Sequence, residues 1–262
     1  MPLKYFSQLD GLSMPASIII LDIDGTIVFD GSDEITPDVL ANIKKFNSVS
    51  RVYLSSNNKM TDRNNKLSEL SEVPYIRTKL RKPNPKAVRD INIGCGHVAV
   101  IGDKFLTDGL LAIFIGAEFI KVRRLTSNND SRLARFLCFC DDSAFNIFLM
   151  LKLMRVKHWS KNILVFSSLF FAREIFDLDK IALVFLAWLG FSLTASSIYI
   201  INDIFDRKND SLHPVKKYRP IANGDISVPA GACMAMILLI FGLLLGFMSG
   251  VYVSILLLFY FF

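Results

Sequence analysis

The chain has 262 residues, 52% of them hydrophobic, and a formal net charge of +6, which is enough length for about two domains. Its basic residues do not form a stripe interleaved with aromatic side chains, so nucleic acid is excluded as a predicted partner. Composition changes near residue 143, from charged and short apolar runs to long apolar stretches. We therefore expect a soluble N-terminal half and a membrane-embedded C-terminal half.

The N-terminal half alternates short apolar runs with amphipathic segments, which is typical of a parallel sheet flanked by helices. The predicted strands cover residues 17–21, 51–55, 75–77, 97–101 and 118–122. The predicted helices cover residues 36–46, 61–70, 85–91 and 106–115. This pattern indicates an α/β fold.

Two aspartates spaced by one residue, Asp22 and Asp24, come at the end of the first predicted strand. At the carboxyl edge of an open parallel sheet, such a pair can supply a nucleophile for phosphoryl transfer and an acid for the leaving oxygen. Gly25 follows them and lets the backbone approach a phosphate closely. A plain turn after a strand is the alternative for the pair alone.

Three later segments lie at or just after the ends of predicted strands, and their side chains suit phosphoryl transfer. Residues 55–58 offer hydroxyl and amide donors, and Lys82 offers a cation that offsets charge in the transition state. Asp103 and Asp108 offer carboxylates for a magnesium ion. The four segments together predict a phosphate-binding site.

On these motifs, residues from about 15 to 125 resemble the haloacid dehalogenase superfamily. Residues 56–58, 81–85 and 102–108 are similar to its small phosphatidylglycerophosphatase-like branch. The resemblance implies an α/β Rossmann-like domain, and a spacing of about 30 residues between the first two motifs leaves no room for a large cap. An uncapped site suits a bulky or membrane-bound phosphate ester.

The same resemblance implies roles for individual residues. Asp22 would form an aspartyl-phosphate, Asp24 would act as acid and base, and Ser56 and Lys82 would bind the phosphate. The further implied substrate-binding residues are Gly25, Thr26 and Asn57. The implied Mg²⁺ ligands are Asp22, Asp24, Asp103 and Asp108.

The rest of the chain is interpreted as a linker over residues 126–144 and a transmembrane domain over residues 145–262, after a soluble domain of residues 1–125. Spans are predicted at residues 163–172, 180–201 and 228–248, with a fourth that begins at Val251. The fourth stops after about 12 residues, too few to cross a bilayer. We therefore expect about three and a half spans and a truncated product or incomplete reading frame.

Basic residues flank the apolar stretches, at 155–161 and 207–219, whereas the loop near residues 173–180 is acidic or balanced. The positive-inside rule then predicts a multi-pass protein of the inner (cytoplasmic) membrane with its N-terminal domain in the cytoplasm.

An acidic cluster ends the second predicted span. Asn202 is followed by Asp203, Asp206 and Asp210, and spacings of three and four place the aspartates on one face of a helix. Their charges repel unless a cation joins them, so Mg²⁺ that bridges a diphosphate is the predicted partner. A solvated interfacial loop with incidental acids is the alternative.

Residues 202–210, 213–214 and 217–222 resemble the intramembrane prenyltransferases of the UbiA superfamily. Residues 155–162 are similar to the opening motif of its decaprenyl-phosphate phosphoribosyltransferase branch, which joins a polyprenyl phosphate to phosphoribosyl diphosphate with loss of diphosphate. The resemblance implies a truncated all-α domain in which Asn202 and the three aspartates hold magnesium and diphosphate. The implied phosphate contacts are Lys157, Lys161, Lys217 and Arg219, for which topology and lipid headgroups are the alternative roles.

The family carries more spans and a second acidic motif on later helices. The chain is therefore not expected to be a competent transferase alone, and a second chain could supply the missing helices.

Together the resemblances predict a membrane-bound bifunctional enzyme with Mg²⁺ as cofactor. Its predicted partners are the lipid bilayer, a polyprenyl phosphate or other lipid phosphate, and a substrate that carries a diphosphate, either phosphoribosyl diphosphate or a prenyl diphosphate. Two alternatives stay open: a phosphatidylglycerophosphate-type phosphatase anchored by an inactive membrane segment, and a non-catalytic membrane scaffold.

Overall fold

The computed structural model describes residues 3–10, 16–58, 60–89, 91, 96–126 and 131–261. The chain divides into two compact units, Pro2–Phe145 and Asn146–Phe262. Among the described residues, every named strand lies in the first unit, and the second unit is helical.

A four-stranded parallel sheet forms the centre of the first unit. Its strands are β1 (Ile18–Asp22), β2 (Arg51–Ser55), β3 (Val98–Gly102) and β4 (Glu118–Lys121), in the order β2-β1-β3-β4. The register pairs Asp22 with Ser55 and Leu21 with Ile101. The predicted parallel sheet is confirmed, and the carboxyl ends of β1, β2 and β3 lie at one edge.

Helices pack on both faces of the sheet. Successive side chains of β1 point to opposite faces, so they contribute to two different buried clusters. Ile19 and Leu21 belong to a buried cluster with Phe46, on α1 (Pro37–Val49), and with residues of α2 (Thr61–Ser71). Ile18 and Ile20 belong to a second cluster with Leu111, on α3 (Leu110–Ile115). Between β1 and β2 the chain forms a single helix, α1.

Three predicted elements differ from the structure. Tyr75 makes only an isolated bridge with Leu54, because just two backbone bonds join residues 74–76 to the outer edge of β2. Residues Pro85–Val88 form a 3-10 turn in place of the helix predicted over 85–91, and Phe105–Gly109 form a π-helical turn before α3.

Residues 126–144, predicted as a linker, are helical from Arg132 onward. This residue begins α4 (Arg132–Leu153), a 22-residue helix. Asp141 and Phe145 of α4 pack against the sheet unit, because Asp141 accepts hydrogen bonds from the backbone and the Phe145 ring contacts the rings of Phe105 and Phe119. Part of the expected linker, residues 127–130, lies outside the described residues.

The second unit contains two helices that are long and apolar enough to cross a membrane by length and composition, α6 (Leu178–Phe205) and α9 (Val228–Ser249). Shorter helices accompany them: α5 (Ser167–Ala172), α7 (Arg207–Leu212), α8 (Pro220–Asn223) and α10 (Val251–Phe261). Of the predicted spans, those at residues 180–201 and 228–248 correspond to α6 and α9, and the short fourth segment from Val251 corresponds to α10.

The span predicted at residues 163–172 is replaced by a 3-10 segment, Val156–Phe166, and the short α5. The α-helical part, Ser167–Ala172, is far shorter than the roughly 20 residues that cross a bilayer core as an α-helix. Arg173 ends α5 in the left-handed conformation, with φ at 59°.

Small residues bring α6 and α9 close together. A Cβ atom at Gly190 would lie 2.8 Å from the Gly242 carbonyl oxygen, and one at Gly242 would lie 2.5 Å from Thr194 Oγ1. Glycines at such positions let two apolar helices gain backbone-to-backbone packing.

Candidate functional site

The carboxyl edge of the sheet holds the first candidate site. Asp22 is the last residue of β1, and Asp103 directly follows β3. Because β1 and β3 are parallel neighbours, their ends bring these two side chains to the same edge. Asp22, Asp103 and Asp108 are buried, and each offers one carboxylate oxygen that lies within 4.8 Å of those of the other two.

Lys82 lies between two of these carboxylates. Its Nζ contacts the Asp22 carboxylate and lies 2.6 Å from Asp108 Oδ1, and its side chain is 3% exposed. A buried cation is tolerated when carboxylates pair with it in this way. The charges of Asp108 and Asp22 raise the pKa of Lys82, although burial acts in the opposite direction.

Asn57 holds Lys82 in place. Its Oδ1 accepts a hydrogen bond from Lys82 N at 2.7 Å, and its Nδ2 donates to the Lys82 carbonyl oxygen at 3.0 Å. Asn57 was predicted to bind substrate. In the structure its amide is used to position the lysine, because both of its polar ends bond the Lys82 backbone.

The protonation of the carboxylates reflects their burial. Desolvation, together with the charge of Asp108, raises the pKa of Asp22 to about 7, although Lys82 opposes the rise. Desolvation and the charge of Asp22 raise the pKa of Asp103 to about 6. Desolvation likewise raises the pKa of Asp108.

This group of carboxylates fits a magnesium ion. Hard oxygen ligands are what Mg²⁺ prefers, and within the described residues no hydrogen-bond donor reaches the buried Asp103 Oδ1. The other oxygen of Asp103 is held by Arg124 Nε. Asp22, Asp103 and Asp108 are therefore the residues that could hold the ion.

The lack of a side chain at Gly25 leaves room for the carboxylate of Asp103. A Cβ there would lie 2.6 Å from Asp103 Oδ2, and its φ of +80° is a conformation that other residues rarely adopt. Thr26, predicted to bind substrate, is buried, and its hydroxyl donates to Asp22 Oδ2 at 3.3 Å.

Asp24 lies outside the three-carboxylate group, although it was predicted as a metal ligand. Its carboxylate accepts a hydrogen bond from Ser56 Oγ at 2.7 Å and pairs with Arg63 Nη2 at 2.8 Å. Burial would raise its pKa, but the bonds from Ser56 and Arg63 prevail and lower it. Asp24 is therefore an ionised group in this structure, and Ser56 contacts it.

These side chains line an open cavity of about 340 Å³. Its lining residues are Asp22, Asp24, Asp30, Gly31, Asn57, Asn58, Lys82, Lys104 and Thr107. The predicted motifs thus converge on one cavity, but the sequence assigned no role to Arg63, Lys104 or Arg124. Lys104 adjoins Asp103 in sequence and could have been found on that ground, whereas Arg63 lies on α2 with no distinguishing pattern.

The acidic cluster of the second unit is arranged differently from the prediction. Asp203 and Asp210 are buried, whereas Asn202 and Asp206 are exposed. Arg219 Nη1 joins the two buried carboxylates, at 3.0 Å from Asp203 and 2.6 Å from Asp210. Arg155 also pairs with Asp203, and Lys216 Nζ lies 3.9 Å from Asp210 Oδ1, so basic side chains of the protein itself neutralise the cluster here.

The predicted phosphate-contact residues of this unit do not converge on the cluster as a group. Lys157 and Lys161 are exposed, and Lys217 Nζ lies 5.0 Å from the centroid of the Tyr218 ring. Arg219 is the member of the set that contacts the aspartates, and Arg155 was missed although it opens the motif at residues 155–162. Asp206 turns away because it lies at the junction of α6 and α7.

Residues 162–262 match the model of the UbiA prenyltransferase family. The chain is 37% identical over 102 residues to the decaprenyl-phosphate phosphoribosyltransferase of Corynebacterium glutamicum, which is 38% of this chain and 31% of that protein. The comparisons thus support a UbiA-type transferase domain in the C-terminal part of the chain. Its homologues include a protein named decaprenyl-phosphate phosphoribosyltransferase.

Two rhizobial proteins are also similar. The match to the uncharacterized protein y4nM of Sinorhizobium fredii is 41% identical over 86 residues, 32% of this chain and 17% of that protein. The match to nodulation protein NoeC of Azorhizobium caulinodans is 38% identical over 88 residues, 34% of this chain and 28% of that protein. The chain spans less than a third of the length of these three relatives.

Proposed function

We propose that the first unit is a magnesium-dependent phosphomonoester hydrolase of the haloacid dehalogenase type, with Asp22 as its nucleophile. The observation that carries this proposal is the position of Lys82, which is buried between Asp22 and Asp108 and lines the cavity. A cation at that point offsets the charge that a phosphoryl group would bring to the aspartates. The family model match begins at residue 162 and leaves this unit outside it.

The chain's residues can carry out both half-reactions. An oxygen of Asp22 attacks phosphorus, the bond from phosphorus to the ester oxygen breaks, and Asp24 in its protonated form gives that oxygen a proton. A water molecule then attacks the aspartyl-phosphate, Asp24 takes its proton, and phosphate leaves with Asp22 restored. When bound, the magnesium ion would supply positive charge for the phosphoryl oxygens.

In this structure Asp24 has the ionised form that the second half-reaction needs. Ser56 and Arg63 lower its pKa, so it is the base form that is present. Substrate that draws either partner toward its phosphoryl oxygens would raise the pKa of Asp24 and favour the acid form that the first half-reaction needs.

For the second unit we propose the N-terminal part of a transferase that joins a polyprenyl phosphate to phosphoribosyl diphosphate. The comparisons with UbiA-type proteins and decaprenyl-phosphate phosphoribosyltransferases support this choice. Asp203 and Asp210 would hold magnesium and diphosphate once Arg155 and Arg219 turn from them to the phosphates. The bilayer of the inner membrane, with the first unit in the cytoplasm, is the proposed location.

The two proposals describe one pathway if the transferase product carries a 5-phosphate on its ribose. The first unit would then remove that phosphate from the lipid. The test is magnesium-dependent phosphate release by the full chain in detergent, with polyprenyl phosphoribose 5-phosphate and phosphatidylglycerophosphate as competing substrates and Asp22→Asn as control.

Faster release from the ribosyl lipid that Asp22→Asn abolishes is the expected result. Faster release from the glycerolipid would replace the pathway with an anchored phosphatidylglycerophosphate-type phosphatase. Release from neither lipid, or release that survives Asp22→Asn, would overturn the hydrolase proposal and favour a non-catalytic scaffold.

A further inference from the structure

One face of α4 is apolar and exposed along its length in the first unit. Leu133, Phe136 and Leu137 are 67%, 60% and 58% exposed, and Cys140 continues the spacing. Residues that recur at three and four positions share one side of a helix. We name these four residues the α4 stripe.

The stripe does not belong to the core of its own unit. A different side of α4 faces the sheet, where Asp141 is buried and the Phe145 ring lies 5.5 Å from that of Phe105. Single exposed apolar residues are ordinary in proteins, but a continuous set on one helix marks an interaction surface.

The charges beside the stripe are basic. Within residues 131–140 the charged residues are Arg132 and Arg135, and both are exposed. Asp142, an exposed acid of the same helix, is 2.7 Å from Lys121 Nζ and so has a cation already. Arg132 borders the stripe, four positions before Phe136, and Arg135 lies four positions before Phe139, which is 68% exposed. Exposed leucine and phenylalanine flanked by arginine are typical of helices that lie in the plane of a membrane interface.

The chain itself indicates which apolar partner is at hand. The helix continues to Leu153, where exposed Ile147 and Leu151 extend the spacing of the stripe. Two span-length apolar helices, α6 and α9, follow in the same polypeptide. A bilayer is therefore within reach of α4 whenever those helices are inserted.

We propose that α4 is an interfacial helix whose stripe enters the acyl boundary of a phospholipid bilayer, with Arg132 and Arg135 at anionic headgroups. This assignment does not depend on the hydrolase chemistry. The assignment bears on the hydrolase site, because Asp141 of α4 accepts hydrogen bonds from the backbone N–H groups of Phe105 and Leu106. These two residues lie between Lys104 and Thr107, which line the cavity. The interfacial helix is thereby joined to the segment that lines the cavity.

The test uses the full chain with its four cysteines replaced by alanine, reconstituted into vesicles of phosphatidylcholine and phosphatidylglycerol. A polarity-sensitive fluorophore is attached at Leu137→Cys, on the stripe, or at Asn146→Cys, an exposed polar position of the same helix. Circular dichroism checks that both variants are folded, which is expected because neither side chain is buried.

The label at residue 137 is expected to emit at shorter wavelength, to lose intensity with brominated phospholipid, and to resist iodide. The label at residue 146 is expected to emit at longer wavelength, to keep its intensity with brominated phospholipid, and to be quenched by iodide. Equal quenching of both labels by iodide would overturn the proposal, since the stripe would then face water. Protection of residue 137 from both quenchers would also overturn it, since a protein surface would then cover the stripe.

The headgroup assignment has its own measurement. Arg132→Gln combined with Arg135→Gln is expected to reduce the blue shift at residue 137 in vesicles that contain phosphatidylglycerol, toward the value in phosphatidylcholine alone. A shift that depends on neither the arginines nor the anionic lipid would refute that assignment.

Discussion

At the scale of single residues, the cavity of the first unit depends on opposed electrostatic effects. Burial makes each carboxylate harder to ionise, and Lys82 makes Asp22 and Asp108 easier to ionise. Asp24 has Arg63 and Ser56 instead, and its pKa is lowered. Asp22 and Asp24 are two positions apart in sequence, yet their surroundings shift their pKa values in opposite directions.

Replacement of Lys82 by alanine tests the central ion pair. Because it leaves two buried carboxylates without their cation, Lys82→Ala is expected to destabilise the first unit by about 3–5 kcal/mol and to abolish phosphate release. Chemical unfolding and a phosphate assay measure the two effects.

The matched control is Lys44→Ala, since Lys44 pairs with Glu72 while both side chains are more than half exposed. A surface pair contributes about 0–1 kcal/mol, so this variant should remain stable and active. Equal losses in the two variants would show that the burial of Lys82 has no special effect.

Stability of the metal-free chain should depend on pH through Asp22 and Asp103. Their pKa values in the folded state, about 7 and about 6, lie above the ordinary 3.8. Between these limits the folded chain binds more protons than the unfolded chain, so stability falls as pH rises from 3.8 to about 7. Melting temperatures in a chelator measure this slope.

Magnesium should stabilise the chain more at the upper end of that range, because the ion binds ionised carboxylates. Asp22→Asn is expected to flatten the slope in the chelator. Stability that rises with pH over the same interval would contradict the raised pKa values.

At the scale of elements, α4 completes the site through a contact with the π-helical turn. Asp141 Oδ2 and Oδ1 accept hydrogen bonds from Phe105 N at 2.9 Å and Leu106 N at 2.8 Å. Lys121 Nζ, from β4, lies 3.2 Å from the same carboxylate. One side chain of α4 thus holds the segment that runs from Asp103 to Asp108.

Asp141→Ala is expected to destabilise the first unit by about 3–5 kcal/mol, because it leaves a buried lysine and two backbone donors without an acceptor. Asp142→Ala removes the exposed partner of the same lysine and is expected to cost about 0–1 kcal/mol. Chemical unfolding compares the two, and similar costs would rule out the role of Asp141. A fragment that ends at residue 125 should fold poorly for the same reason.

Packing between α6 and α9 depends on Gly242. Gly242→Ala would place a methyl group 2.5 Å from Thr194 Oγ1 and 2.9 Å from the Gly190 carbonyl oxygen, so the helices must separate. A cost of about 1–3 kcal/mol is expected from such overpacking. Thermal unfolding in detergent measures it, and Gly250→Ala, where a Cβ has its nearest neighbour at 4.0 Å, is the matched control.

At the scale of the whole molecule, the chain contains two candidate sites in two compact units. Asp22→Asn is expected to abolish phosphate release and to leave the binding of a polyprenyl phosphate unchanged. Asp203→Asn is expected to weaken that binding and to leave phosphate release unchanged. The assays are phosphate release and equilibrium binding of labelled lipid, and loss of both properties in either single variant would contradict separate sites.

Much of the first site could be predicted because its residues follow strand ends. A parallel sheet brings such positions to one edge whatever the intervening sequence is, so Asp22 and Asp103 were found together. Lys82 joins them although the strand predicted before it is only an isolated bridge at Tyr75, and Asp108 joins them from the π-helical turn after β3. Arg63 and Asp141 were missed because their contacts join segments 31–39 residues apart, and no local pattern marks them.

The sequence alone determined the parallel sheet, the two long apolar helices and most residues of the first candidate site, since these follow from local periodicity and from chemistry at strand ends. The tertiary structure decided which charges meet. It placed Arg219 between Asp203 and Asp210, turned Asp206 outward and made the expected linker part of the first unit. Ion pairs and burial depend on distances between segments that are remote in sequence, and only the folded chain sets those distances.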